Sequence, residues 1–182
     1  MACSSADKIK FEFMLGGGPP VMMTFGQQVD TTGWKDGAPL LFDASGHLTV
    51  CSSGNLASAS GIFGIAAHPS NTTETVDGVA QQTVYMCTPQ TVFSMAVSNA
   101  GATTSVPAHT MVNNGYLIAN SGTVSGSSEV WVLDVAATGQ LGGYVVGLKD
   151  STTKIHGRVY VIINPRVYST NSPFLVTSTA VG

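Results

Sequence analysis

The chain has 182 residues, of which 43 % are hydrophobic and only 9 % charged, with a formal net charge of −3 at pH 7. That length suits one domain with a sizeable core. Seven Lys and Arg residues, none in a run, exclude a protein that grips a nucleic-acid backbone through clustered cations.

An average soluble domain carries about 25 % charged residues and keeps a mixed charged surface in water. A chain so poor in charge and rich in Ser, Thr, Gly, Ala and Asn points to an obligate assembly whose partners cover much of its surface. A secreted Ser/Thr-rich β-protein is the other class with this composition. The apolar runs are too short to cross a bilayer. Lys8, Lys10 and Glu12 interrupt the N-terminal stretch, which lacks the pattern of a signal peptide, so synthesis and folding are expected in the cytoplasm without export. Cys3, Cys51 and Cys87 are odd in number and form no CxxC pair. They read as reduced thiols, with Cys51 and Cys87 packed as small hydrophobes and no zinc site. The sequon at Asn71-Thr72-Thr73 has meaning only in a secretory pathway.

In chain order, Lys8 to Phe13 alternates strictly, with Ile9, Phe11 and Phe13 on one face and charges on the other, as in a half-exposed strand. Gly16-Gly17-Gly18-Pro19-Pro20 breaks regular structure. Residues 1–20 therefore read as a strand-bearing arm, free to pair with its own body or with a neighbour. Val21 to Phe25 is a second strand. The stretch from Gly37 to His68 reads as the organising centre: a hairpin from Leu40 to Val50 about the turn Asp43-Ala44-Ser45-Gly46, then a buried strand from Gly61 to Ala67. Gly46 is expected at positive φ. Residues 69–82 form a polar loop. Strands follow at Thr83–Cys87, Thr91–Val97, Tyr116–Asn120, Val130–Val135, Tyr144–Leu148 and Arg158–Ile163, and Asn164-Pro165 ends the last. No window sustains the period of an amphipathic helix. So many short strands with regular turn signals predict an all-β fold, a small antiparallel β-barrel or β-sandwich over residues 21–165. Residues 166–182 read as a second arm with an apolar island at Phe174-Leu175-Val176.

Catalysis needs a nucleophile, a base and an orienting group at one point. His47, His68, His109 and His156 lie in no catalytic motif, and neither GxSxG nor HExxH occurs. Gly142 to Lys149 is too strand-like for a phosphate loop, and the scattered Asp residues make no calcium loop. No catalytic residue, metal ligand or cofactor site is assigned. Trp34, Trp131, Tyr116 and Tyr144 could form a sugar-binding platform, but their apolar neighbours favour core or interface anchors.

Several segments carry a resemblance. GAPLLFDASGHLTV (37–50), IFGIAAH (62–68), TVFSMAV (91–97), NNGYLIA (113–119), VWVLDV (130–135), GGYVVGL (142–148) and GRVYVIINPRV (157–167) together resemble bacteriophage capsid decoration, or cement, proteins, over roughly Thr24 to Val167. The resemblance implies a β-barrel or β-tulip body and a homotrimer on the outside of an icosahedral head. It also implies a major capsid protein as partner, and no catalytic residues. The chain then belongs on the virion surface, with no direct nucleic-acid or membrane contact. Subunit or capsid contact is expected from the arms, through Ile9, Phe11, Phe13, Phe174 and Leu175, by strand addition. Other readings are a jelly-roll coat protein of a small icosahedral virus, disfavoured by the missing basic arm, and a glycan-binding head-fibre or adhesin domain. An enzyme has the least support.

Overall fold

The structure is a computed structural model that describes residues 8–28, 33–51, 62–71, 73, 75–98, 105–120, 130–138 and 142–163. On them lie eleven strands: β1 (Lys10–Met14), β2 (Met22–Gly26), β3 (Pro39–Phe42), β4 (Leu48–Val50), β5 (Gly64–Ala66), β6 (Gln81–Met86), β7 (Thr91–Ser98), β8 (Gly115–Asn120), β9 (Trp131–Thr138), β10 (Gly143–Leu148) and β11 (Arg158–Ile163). One 3-10 turn at His109–Met111 is the only helical element among the described residues. The fold is all-β, as the alternation predicts.

Two sheets share the strands. The first runs β1-β7-β11-β10-β8-β9, and a further pairing of β7 with β9 closes its last five strands into a barrel. Closure is made by two parallel pairs, Val97↔Leu133 and Ser98↔Asp134. Upstream on that same edge, β7 pairs with β1 through Lys10↔Ser94 to Met14↔Thr91. Its other edge pairs with β11. β7 therefore has three neighbours, and every one of its residues is buried. The centre of the molecule is β7, in place of the expected stretch from Gly37 to His68, whose described residues supply β3, β4 and β5.

Alternation along the barrel strands sends Phe93, Met95, Val97, Tyr116, Ile118, Trp131, Leu133, Val145, Val159, Val161 and Ile163 to one apolar cluster. Gly143 faces the same interior, since a Cβ there would stand 3.0 Å from Leu133 Cδ1. Outside, Ala96, Val130 and Val132 form a small separate cluster.

The second sheet runs β2-β6-β5-β3-β4. One parallel bridge, Gln27↔Leu48, draws its two ends together beyond β2. The β3–β4 hairpin has the expected turn. Asp43 Oδ1 accepts from the backbone N–H groups of Ser45 (2.8 Å) and His47 (2.9 Å), and Gly46 sits at φ +83°. Gly64 permits the close approach expected of this segment's glycines, its Cβ position being 2.9 Å from the Tyr85 carbonyl. The sheets share one apolar cluster, in which Leu40, Ile65 and Val84 join the barrel residues. Phe11 stacks flat on Tyr85 of β6 at 5.3 Å, so β1 also ties one sheet to the other.

Two sequence expectations need correction. Of the segment read as an arm, residues 8–20 are not free of the body, because β1 takes one of the two pairings open to it, with the chain's own β7, and Ile9 is only 2 % exposed. Nor do Ile9, Phe11 and Phe13 share a face. A bulge lies between Phe11, opposite Phe93, and Phe13, opposite Val92. One extra residue in a strand reverses the facing of everything after it. The expected C-terminal arm, 166–182, lies outside the described residues.

Candidate interaction surface

The bulge in β1 decides what this part of the molecule presents. Before it, Ile9 is a core residue, and Phe11 meets Tyr85 and, edge-on, Phe93 at 6.4 Å. After it, Phe13 turns to the outside, 43 % exposed, with its ring edge-on to Tyr160 at 5.5 Å. Of the contact residues expected from sequence, Ile9 and Phe11 are thus spent on the chain's own core. Among the described ones, Phe13 is the one left exposed toward a partner. Phe174 and Leu175 lie outside the described residues.

Beyond Phe13 the chain turns the corner from the first sheet to the second. Leu15 N–H donates to the Gln90 carbonyl at 2.9 Å, and Gly17 and Gly18 take φ of +72° and +89° in open space. The chain then enters β2 with Val21, Met22, Met23 and Thr24 all exposed. In a strand covered on one side, neighbouring residues alternate between buried and exposed. Met22 and Met23 are 41 % and 46 % exposed, so this end of β2 is packed on neither face. The other end is fixed. Buried Gln27 donates from Nε2 to the Asn71 carbonyl, and its Oε1 accepts from Asn71 N–H and Gln82 Nε2, each at 2.9 Å.

Phe13, Leu15, Val21, Met22 and Met23 are thus five exposed large apolar side chains within one short piece of chain. No charged residue occurs from Phe13 through Val29. Exposed strand ends are normally blunted with charge or proline, and here only Pro19 and Pro20 do so. The signal in the sequence was that charge-free run. The expected contacts missed Leu15, Val21, Met22 and Met23 because the run reads as a breaker followed by an ordinary strand.

Beside this strip, charge is concentrated and paired. Arg158 donates from Nε to Ser94 Oγ at 2.8 Å and from Nη2 to the Lys8 carbonyl at 2.7 Å. Glu12, at the bulge, accepts from Ser94 Oγ at 2.5 Å and pairs with Lys149. Burial pushes the Glu12 carboxyl up, but the hydrogen bonds from Lys149 and Ser94 and the charges of Lys149 and Arg158 outweigh it, and it lies below the usual range. Asp150 is similar: burial raises it, while Lys154, the Arg158 N–H and both cations bring it down. The cluster is a structural clamp joining β1, β7 and β11.

The remaining candidates are separate from the strip. His68 and His109 are exposed, His47 lies beside Asp43, and His156 Nδ1 is 3.1 Å from the Val97 carbonyl. No group of three His, Cys, Asp or Glu residues among those described could hold a metal. Trp34, Trp131 and Tyr116 are core residues, as their apolar neighbours suggest, while Tyr144 is exposed. Cys51 and Cys87 are buried free thiols. Burial pushes Cys51 up to about 12; burial, and then the neighbouring Cys51, hold Cys87 well above the usual thiol range.

No protein-family model, no curated protein and no solved structure matches the chain.

Proposed function

We propose that this chain is a non-catalytic virion protein that decorates and cements the outside of an icosahedral phage capsid by bridging neighbouring capsomers, as a homo-oligomer that the sequence resemblance makes a trimer. The observation that carries the reading toward assembly is the charge-free strip of Phe13, Leu15, Val21, Met22 and Met23 on a body already poor in charge. Large apolar side chains left exposed on one charge-free stretch of chain favour burial against a partner, and this supports the reading. The resemblance of the strand and turn segments supplies the capsid as the partner.

The test uses particles concentrated from the source of the sequence and antibodies raised against the purified chain. A cement protein co-sediments at fixed stoichiometry with a larger shell protein, and the antibodies label the outside of intact heads. Co-sedimentation with no particle overturns the proposal. A shell built of this chain alone would make it a coat protein instead.

A further inference from the structure

The free end of β2 has a backbone pattern that selects its occupant. In an antiparallel pair, backbone groups alternate between facing the partner and facing away. Met86 N–H donates to the Val21 carbonyl at 2.9 Å, and Gln27 N–H donates to the Ala80 carbonyl at 2.8 Å. Residues 21, 23, 25 and 27 therefore turn their backbone toward β6, and the even-numbered residues turn theirs outward. Gln28 N–H confirms the phase, since it reaches the Leu48 carbonyl on the outer side at 2.9 Å. That bond closes the outer edge at one end. Pro20, which has no N–H, limits it at the other. Between them stand Met22 and Thr24, whose outward N–H and C=O groups face no other strand of the sheet, while Gly26, the next outward residue, lies against β4 at the Gln27–Leu48 bridge.

We infer that this edge pairs with the same edge of a second copy of the chain, antiparallel and about a two-fold axis through Met23. The outward set is symmetric about that residue. Met22 comes opposite Thr24 of the second copy, and Thr24 opposite its Met22, so all four outward N–H groups meet outward carbonyls. Identical strips repel when they carry charge, and this one carries none from Phe13 through Val29. Met22 and Met23, unpacked on opposite faces of the strand, both gain cover. The two ends fix the register, because only three residues can pair between Pro20 and the Gln28–Leu48 bond. The contact buries less than the roughly 800 Å² per partner of a stable complex, so it is weak in dilute solution. A two-fold contact is closed after two copies, so it adds to any three-fold contact and joins two such assemblies. The inference does not depend on the capsid reading.

Its register can be read by cysteine cross-linking of the full chain in a Cys3→Ser background. On the axis, the two copies of residue 23 form a pair whose backbones face away from each other, with Cα atoms about 4.5 Å apart, while residues 22 and 24 of opposite copies lie about 5.5 Å apart. Both fit a disulfide. Two copies of residue 22 are diagonal neighbours at about 7–8 Å, beyond that range. Under an oxidised glutathione buffer, Met23→Cys is expected to run mainly at twice the monomer mass without reductant. Met22→Cys alone and Thr24→Cys alone are expected to stay monomeric, and an equal mixture of those two to cross-link. These positions are exposed, so the variants should fold, which circular dichroism checks. Equal cross-linking at all three positions, or none at residue 23, overturns the inference. Either result leaves the capsid reading to its own test.

Discussion

The two sheets of this protein solve the problem of strand edges differently. The first uses β7 twice on one edge, giving its early residues to β1 and its last two to β9, and so closes into a barrel filled with side chains. The second is drawn together, among the described residues, by the single bridge from Gln27 to Leu48, and the residues of β2 before that bridge are left with an open edge. Closure removes edges altogether, whereas a sheet closed at one point leaves a stretch able to pair with another chain. The comparison divides the molecule into a part that carries stability and a part available for contact.

Substitution in the barrel should produce the largest loss. Phe93→Ala, at the middle of β7 and wholly buried, is expected to cost about 3–5 kcal/mol in urea unfolding. A loss below about 1 kcal/mol would mean that the barrel is not the stable part. Gly142→Ala should cost less, about 1–3 kcal/mol, because its Cβ would sit 2.6 Å from the Ile118 backbone nitrogen and β8 would have to move. In the second sheet, Gly46→Val should cost about 1 kcal/mol by the same measurement, from positive φ alone, since nothing stands near its Cβ. A Gly46→Asn variant, better suited to that conformation, should recover part of the loss.

Acid should loosen the clamp that holds β1 on the barrel. Glu12 and Asp150 lie below their ordinary values when folded, so their contribution is present above the unfolded values of about 4.3 and 3.9 and is lost as pH falls through the lower folded ones. The melting temperature should therefore fall below about pH 4, and less steeply in Glu12→Gln. Constant stability from pH 5 to pH 2 would contradict the arrangement. The smallest effect belongs to the open edge. Met22→Ala and Met23→Ala should each change monomer stability by no more than about 0.5 kcal/mol, even though both remove large apolar side chains.

The strands themselves were legible. Each follows from a short alternating or apolar run between turn residues; Arg158–Ile163 has its expected bounds, and the others differ only at the ends, as Thr91–Ser98 does. The Asp43–Gly46 turn was legible because its chemistry is local: one carboxylate accepts two nearby N–H groups, and one glycine takes positive φ. What could not be read was set by pairing between distant segments. Nothing within Lys10 to Met14 announces the bulge. It exists only relative to Phe93 and Val92, and it turns Phe13 outward while Phe11 stays in. The central place of β7 was equally hidden, because its three neighbours come from residues 10–14, 131–138 and 158–163. For the interaction strip, composition gave the run without charge, but the loss of cover on both faces of β2 depends on which distant segments pack over the strand.

The position of β7 also governs the order in which the chain can assemble. Along one side its residues Val92 to Ala96 are matched by β11, where Arg158 lies opposite Ala96 and Ile162 opposite Val92. During synthesis, β7 emerges with β1 already available, yet the strand that covers its other side comes some sixty residues later. The barrel therefore cannot close co-translationally until β11 has left the ribosome. Pairings of such long sequence separation place folding in the slow range for small proteins, milliseconds to seconds.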